Sequence, residues 1–257
     1  MKITVLSVLL GLLLLAVPGY VLMRLDVPLL QRLAKSVVRM VLQMAVVGAL
    51  TWLLWRMASP WLCLVWLLAM AMVAAWVLVR RCRLQQGLLF LPVWAGVVAG
   101  VFSVGAYLLL TMRVAEPLSP HWLIPVGGVL MAHVLTTNTH GVSAYFEALK
   151  TDAMSYYTQL GNGASRLTML TPYVRQGLRS MIEPTVASFT TMGLFALPML
   201  LSGLLLGGVA PVEAVALYVL LTIGSVAASV VALIVTLWAA DRRVFNKRGE
   251  LKNVWTS

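Results

Sequence analysis

Long apolar runs are the feature that most constrains how this chain folds. A helix needs about 20 mostly apolar residues to cross the hydrocarbon core of a bilayer. Inside lipid, a backbone N–H or C=O finds no partner outside its own segment, so each run is expected to be an α-helix. The expected spans are 3–23, 37–56, 61–79, 88–111, 123–145, 185–207 and 212–240. The sequence therefore predicts an all-α, polytopic membrane protein with about seven transmembrane helices.

Composition leaves little room for a separate soluble domain. The 257 residues are 61% hydrophobic and 11% charged, whereas a soluble domain carries roughly a quarter charged residues. We expect a single membrane domain over 1–257. The run from Ile3 to Met23 is too long for the apolar part of a signal peptide, so we interpret it as the first span. Cys63 and Cys82, if on one helix, lie about 28 Å apart, too far for a disulfide.

The basic residues are distributed very unevenly between the two sides of the predicted membrane. Only Lys2, Arg56 and Arg113 fall on one side. The other side holds sixteen: Arg24, Arg32, Lys35, Arg39, Arg80, Arg81, Arg83, Lys150, Arg166, Arg175, Arg179, Arg242, Arg243, Lys247, Arg248 and Lys252. Because cytoplasmic loops are rich in Lys and Arg, the N-terminus is expected outside and the tail, 241–257, in the cytoplasm. The net charge of +11 then reflects contact with anionic lipids, not nucleic acid.

The segment after the first span has an amphipathic pattern. Within "VPLLQRLAKSVVRM" (27–40), apolar and polar residues alternate at helical spacing. This pattern favours an amphipathic interfacial helix over 27–36, ahead of the second span. The alternative is an ordinary charged helix end.

One long polar segment, 146–183, interrupts the apolar pattern on the cytoplasmic side. Its sequence predicts a helix, a small-residue turn at "GNGAS", and a second helix that ends near Pro184. The small residues Gly163, Ala164 and Ser165 would let a partner approach the backbone closely. The segment is thus interpreted either as a docking site for a soluble partner or as an ordinary solvated loop.

Seven motifs, in order along nearly the whole chain, resemble a known family. They are Arg39-x-x-x-Gln43 with Gly48, "AAW" at 74–76 before two arginines, "IPVGG" at 124–128, "LGNGAS" at 160–165, the spacing of Arg175, Arg179 and Pro184, "GLFALPMLLSG" at 193–203, and "GGVAPVEA" at 207–214. Their pattern is similar to that of the FetB family of metal-ion-export permeases, which belong to the ATP-binding-cassette (ABC) permeases. The sequence departs from the family pattern at Thr158, at Ala132-His133 and at Met199.

The resemblance implies a role for the polar segment. In a permease of this kind, 146–183 would be the cytoplasmic coupling segment that docks an ATPase subunit. The residues expected to couple are Leu160, Gly163, Ala164, Ser165, Arg166, Arg175 and Arg179. The resemblance also implies that iron or another metal ion is the substrate.

A polar band on the fifth predicted span is the main candidate for a translocation path. Its members are His133, Thr136, Thr137, Asn138, Thr139, His140 and Ser143, with Gln43 on the second span. His133 and His140 are seven residues apart, on one face of a helix, and imidazoles are ligands for borderline metals. The alternative, which we favour slightly, is hydrogen bonding between packed helices. The fourteen methionines are scattered and are interpreted as packing residues.

A proline interrupts the sixth predicted span. Pro198 removes one backbone hydrogen bond and should kink or break the helix, beside the bulky Met199. Such a break serves either as a gate, as in many transporters, or as a static kink. Pro198 and Met199 therefore join the candidate gate residues.

The sequence contains no nucleotide-binding Gly-x-x-x-x-Gly-Lys-Ser/Thr motif and no His-Glu-x-x-His zinc motif. We therefore expect no catalytic residue and no cofactor on this chain, with ATP and Mg²⁺ bound by a separate ATPase.

The favoured hypothesis is a homodimeric exporter permease, multi-pass in the inner (plasma) membrane, for a metal ion or another small solute. One rival is an importer permease, although the Glu-Ala-Ala triplet of importer coupling loops is absent. The other is an ATPase-independent channel or scaffold, and a membrane enzyme is a distant third.

Overall fold

The protein is almost entirely helical. The computed structural model describes residues 11, 13–25, 28–57, 59–113, 116–193, 197–246, 251–252 and 254–255. The helices are α1 (Ala16–Arg24), α2 (Leu30–Met57), α3 (Pro60–Arg81), α4 (Gln86–Thr111), α5 (Pro120–Thr151), α6 (Ala153–Gly161), α7 (Arg166–Thr191), α8 (Met199–Leu206) and α9 (Pro211–Val244). In the described part of the chain, β structure is limited to two isolated bridges near the C-terminus. The predicted all-α fold is confirmed.

Several predicted spans coincide with long helices. Within the described ranges, four helices are long and apolar enough to cross a membrane: α2, α3, α4 and α9. The predicted span 123–145 lies inside α5, whose 32 residues extend about 48 Å. Of the predicted span 3–23, residues 3–10 and 12 lie outside the described part of the chain, and α1 covers its last eight residues.

The predicted interfacial helix is not a separate element. One helix, α2, runs without a break from Leu30 to Met57 and so includes most of 27–36 and all of 37–56. Residues 33–40 contain no glycine or proline, so nothing in the backbone interrupts the helix there. The position of the first turns of α2 in the membrane interface stays a prediction.

The predicted span 185–207 is not a single helix. The helix α7 ends at Thr191 and α8 begins at Met199, directly after Pro198. Between them Gly193 has a φ of +80°, which a residue with a side chain rarely adopts. The break that Pro198 predicted is therefore present. Pro184, by contrast, lies inside α7 and does not end it.

The chain divides into two compact units, Met1–Met57 and Ala58–Ser257. In the first unit, α1 packs on the start of α2, where a Leu30 methyl group lies 3.6 Å from the position of a Cβ at Gly19. The second unit contains α3 to α9 and the whole polar segment.

Close contact between α4 and α9 forms the centre of the second unit. A Cβ atom added at Gly100 would lie 2.4 Å from the carbonyl oxygen of Ala228, and one at Gly96 would lie 2.5 Å from that of Ala232. The two backbones therefore lie in close contact, with the small side chains of Ala232 and Thr236 against the glycines. Small residues allow such approach, which replaces the hydrophobic driving force that lipid cannot supply.

A second close contact joins α5 to α7. A Cβ at Gly177 would lie 2.9 Å from the carbonyl oxygen of Gly141. The helix α7, which follows the small-residue turn, is thus held against α5, which leads into the polar segment.

We predict that Gly100→Ala destabilises the protein, because the new methyl group meets backbone that cannot move aside. Overpacking of this kind costs about 1–3 kcal/mol. The matched control is Gly128→Ala on α5, where a Cβ would meet nothing within 4 Å and helix propensity favours Ala by about 1 kcal/mol. Thermal unfolding in detergent should show a lower midpoint for Gly100→Ala only. Equal midpoints for the two variants would contradict the packing described here.

Candidate functional site

The polar segment folds as helix, turn and helix, the order that its sequence predicts. The first helix, α6, ends at Gly161, and Gly163 follows with a φ of +72°. The turn is closed by backbone hydrogen bonds from Gly163 N to Leu160 O and from Ala164 N to Gln159 O, both 3.1 Å. This geometry is how glycine ends a helix.

The second helix of the segment starts with a side-chain cap. The Ser165 hydroxyl accepts a hydrogen bond from the Thr168 backbone N–H at 3.3 Å, and serine is a preferred residue at this position. We call residues 160–166 the coupling turn. Its shape follows from one glycine and one serine in "LGNGAS".

The coupling turn is exposed and has exposed apolar neighbours. Gly163, Ser165 and Arg166 are exposed, whereas Leu160 and Ala164 are half-buried. On either side, Met154 is 81% and Leu167 is 82% exposed. Contiguous exposed apolar surface rimmed by polar residues is typical of interaction sites. The turn therefore presents two apolar side chains beside a backbone that a partner can approach.

A tyrosine holds α7, the second helix of the polar segment, against the point where α5 ends and α6 begins. The Tyr173 hydroxyl on α7 donates to the Asp152 carbonyl oxygen, at 3.2 Å, where α5 ends. Burial raises the pKa of Tyr173 and of Tyr156, which favours the neutral phenol at both positions. This hydrogen bond thus fixes α7 against the junction of α5 and α6.

Beneath the coupling turn lies a cluster that sequence reasoning did not find, apart from Arg166. The Arg166 guanidinium donates to the Asp241 carbonyl oxygen and lies 5.0 Å from the centre of the Phe245 ring. Tyr156 stacks on Phe245 with ring centres 5.5 Å apart. The Tyr145 hydroxyl donates to the Asp241 carboxylate at 2.7 Å. No local pattern could reveal these contacts, because most of the partners are 75 or more residues apart in sequence.

The two other predicted coupling arginines lie further along α7. Arg175 is exposed beside a shallow depression that Leu167 and Thr171 also line. Arg179 pairs with Glu183, its Nε 2.5 Å from Oε1, with both side chains more than half exposed. Exposed pairs of this kind add little stability. Both guanidinium groups thus lie on the surface of α7, that of Arg179 within an ion pair.

The polar band on α5 is divided between packing and exposed surface. Asn138 is 1% exposed, and its amide, oriented for hydrogen bonding, reaches Ser229 O at 3.0 Å and Leu233 N at 3.3 Å. The neighbouring Thr137 hydroxyl donates to the Ser229 hydroxyl at 2.9 Å. These contacts favour the packing interpretation for Asn138.

The remaining band residues do not share that environment. His140 and Thr136 are exposed on one face of α5, and His133 is half-buried. The His133 Nε2 atom is buried without a hydrogen-bond partner among the described residues. Gln43 is exposed on α2, in the first unit.

No preformed metal cage is evident in the described ranges. No three His, Cys, Asp or Glu side chains within them are placed to hold one ion. His133 and His140 therefore stay predicted ligands for a transported ion, and the structure places one half-buried and the other on the surface.

The two gate candidates, Pro198 and Met199, lie where α8 begins, after the break that follows α7. Pro198 occupies the N-cap position of α8, and Met199 is 91% exposed. The Tyr218 hydroxyl on α9 contacts the Met192 sulfur at 3.1 Å, just past the end of α7. Apolar side chains of Phe189, Leu201 and others line a cleft at this break. At the end of α7, the break thus lies against α9.

The chain has relatives among membrane proteins of bacteria and plants. It is 26% identical to a UPF0014 membrane protein of Synechocystis over 83% of each chain. It is 27% identical to the protein ALUMINUM SENSITIVE 3 of Arabidopsis thaliana, over 84% of this chain and 78% of the relative. It is 23% identical to the "Probable iron export permease protein FetB" of Escherichia coli K12, over 84% and 82% respectively. No solved structure matches the chain.

The family comparison covers nearly all of the sequence. Residues 5–245 match the family described as "Uncharacterised protein family (UPF0014)". The chain therefore belongs to the UPF0014 family and is a membrane protein.

Proposed function

We propose that this chain is the permease subunit of an ABC transporter that exports a metal ion such as iron, or another small solute. The observation that carries the proposal is the coupling turn, an exposed turn of small residues between two helices. The apolar side chains of Met154 and Leu167 are exposed on either side of it. The relative from Escherichia coli, named as a probable iron export permease, supports export and the choice of iron.

The docking step follows from the shape of the turn. A groove on a cytoplasmic ATPase would receive the backbone at Gly163 and Ala164, where no long side chain keeps it away. Met154 and Leu167 would lose contact with water on docking, which stabilises the complex in proportion to the apolar area buried. Arg175 and Arg179 would attract acidic groups at the rim of the groove.

Movement of the docked turn would pass into the membrane along rigid helices. The 32 residues of α5 and the 26 residues of α7 lead away from the segment without a break. Their close contact at Gly141 and Gly177 would make them move together. The break between the end of α7 and the start of α8, next to Pro198, then offers a place where the path can open, since a discontinuous helix bends more readily than a continuous one.

The rest of the transport machinery would be shared between subunits. ATP and Mg²⁺ would bind to the ATPase, and this chain would hold no cofactor and no catalytic residue. Two copies in the inner (plasma) membrane, with their C-termini in the cytoplasm, would enclose the path. His133 and His140 would offer polar contacts to the ion, and Pro198 and Met199 would act at the gate. Gln43, in the first unit, is a separate candidate for a pathway residue.

We expect a cassette ATPase to purify with the tagged protein from its native membrane in mild detergent. Mass spectrometry would identify it by a Gly-x-x-x-x-Gly-Lys-Ser/Thr segment, which binds nucleotide phosphates. A membrane protein of similar size, tagged and purified in the same way, serves as the control. Repeated recovery without any such ATPase would count against an ABC permease and favour a channel or scaffold.

We predict that Ala164→Glu weakens the contact between the coupling turn and the ATPase and thereby uncouples ATP hydrolysis from transport. Ala164 is half-buried within the turn, and a buried carboxylate without a partner disfavours docking. Transport should fall at least about tenfold, since that loss corresponds to about 1.4 kcal/mol of docking free energy, while the protein still inserts. Arg243→Gln, at the exposed end of α9, changes the net charge equally and should transport normally. Wild-type transport by Ala164→Glu would show that the contact lies elsewhere.

Direction is tested in inverted membrane vesicles that contain the permease and its ATPase. An exporter should accumulate Fe²⁺ inside these vesicles only when ATP is added. Accumulation that needs ATP in right-side-out vesicles instead would indicate an importer, and flux without ATP would indicate a channel.

A further inference from the structure

We propose that Tyr145, Tyr156, Asp241 and Phe245 are positioning residues that hold the coupling turn, through Arg166, to the end of α9. This inference rests on the proposed function. Its consequence is that a displaced turn moves α9 directly, and not only α5 and α7. The cluster is the place where α5, α6, α7 and α9 meet.

The location of Arg166 is explained by α9 and not by its own helix. Arg166 is the first residue of α7, and a cation at a helix N-terminus is unfavourable because that end carries a partial positive charge. Its guanidinium instead donates to the Asp241 carbonyl oxygen in the last turn of α9. A helix C-terminus attracts cations, so the contact satisfies both the cation and a terminal carbonyl group.

The aromatic side of the cluster is held in place by the C-terminal tail. Phe245 is 6% exposed, and it pairs with Leu251 through an isolated bridge. The Lys252 backbone N–H donates to the Val244 carbonyl oxygen at 2.9 Å. One Phe245 ring thus contacts the Arg166 guanidinium and the Tyr156 ring, while its backbone is fixed at the end of α9. Cation–π contacts of this kind strengthen when water is excluded.

The remaining contact joins α5 to the same point. Tyr145 is fully buried, and its hydroxyl donates to the half-buried Asp241 carboxylate at 2.7 Å. A hydrogen bond to a charged acceptor is among the stronger kinds. Asp241 therefore connects to α5 through its side chain and to the start of α7 through its carbonyl group.

The α4–α9 contact extends this connection into the membrane. Because Gly96 and Gly100 bring the two backbones together, α9 cannot shift far without α4. The coupling turn is thereby connected to two of the helices long enough to cross the bilayer.

The connection is tested first without any partner, by amide hydrogen exchange of the full chain in detergent. Phe245→Leu should speed exchange across 160–166, about eighty residues away in sequence, and Arg166→Gln should speed it across 241–246. A rise of about tenfold is expected for the loss of one charged contact. Arg166→Lys should recover part of the protection, because it keeps the cation.

The control is Arg243→Gln, whose exposed side chain takes part in none of the contacts above. It should leave exchange in both regions unchanged. Unchanged exchange across 241–246 in Arg166→Gln, or an equal rise in the control, would overturn the connection. Arg166 is exposed, so this variant should fold even if Phe245→Leu does not.

The second measurement uses the permease with its purified ATPase in proteoliposomes, with Fe²⁺ as the transported ion. Arg166→Gln should lower the number of ions moved per ATP hydrolysed, with the ATPase still bound, and Arg166→Lys should restore part of that ratio. An unchanged ratio in Arg166→Gln would overturn the positioning role while leaving the proposed function intact. Absence of any ATPase would overturn the proposed function and the role of the connection in transport, whereas hydrogen exchange would still decide whether the connection exists.

Discussion

The requirement that backbone polar groups find partners inside lipid determines most of this structure. A helix satisfies its own N–H and C=O groups, so each long apolar run becomes one, and side chains are left to decide how the helices pack. Lipid tails are as apolar as the side chains that they touch, which removes the hydrophobic drive for pairing. Close backbone contact at Gly96, Gly100, Gly141 and Gly177 takes its place.

The same requirement gives meaning to the two positions where a long helix stops. One is the end of α7, where Gly193 has a left-handed conformation, before α8 begins after Pro198. At 162–165 the backbone turns in a polar setting, where water or a partner can satisfy its free groups. In the proposed permease, the first is where the path changes shape, and the second is where the driving force enters.

Between these two positions the second unit behaves as a connected set of helices. The polar segment connects α5 to α7, and the cluster around Asp241 joins α9 to both helices. The polar residues of α5 serve two purposes along one helix. Asn138 and Thr137 hold α9, whereas His140 and Thr136 are exposed on another face.

The sequence by itself determined the helical class, the extent of most long helices, the coupling turn and the break at Pro198. Each depends on signals within a few residues, such as Gly163 after α6, Ser165 before α7 and the missing N–H of Pro198. Only the tertiary structure decided that Asn138 packs against α9, and that Tyr145, Asp241 and Phe245 lie beneath the turn. Local backbone chemistry is visible in a short window of sequence. The pairing of side chains nearly a hundred residues apart depends on how whole helices fit together.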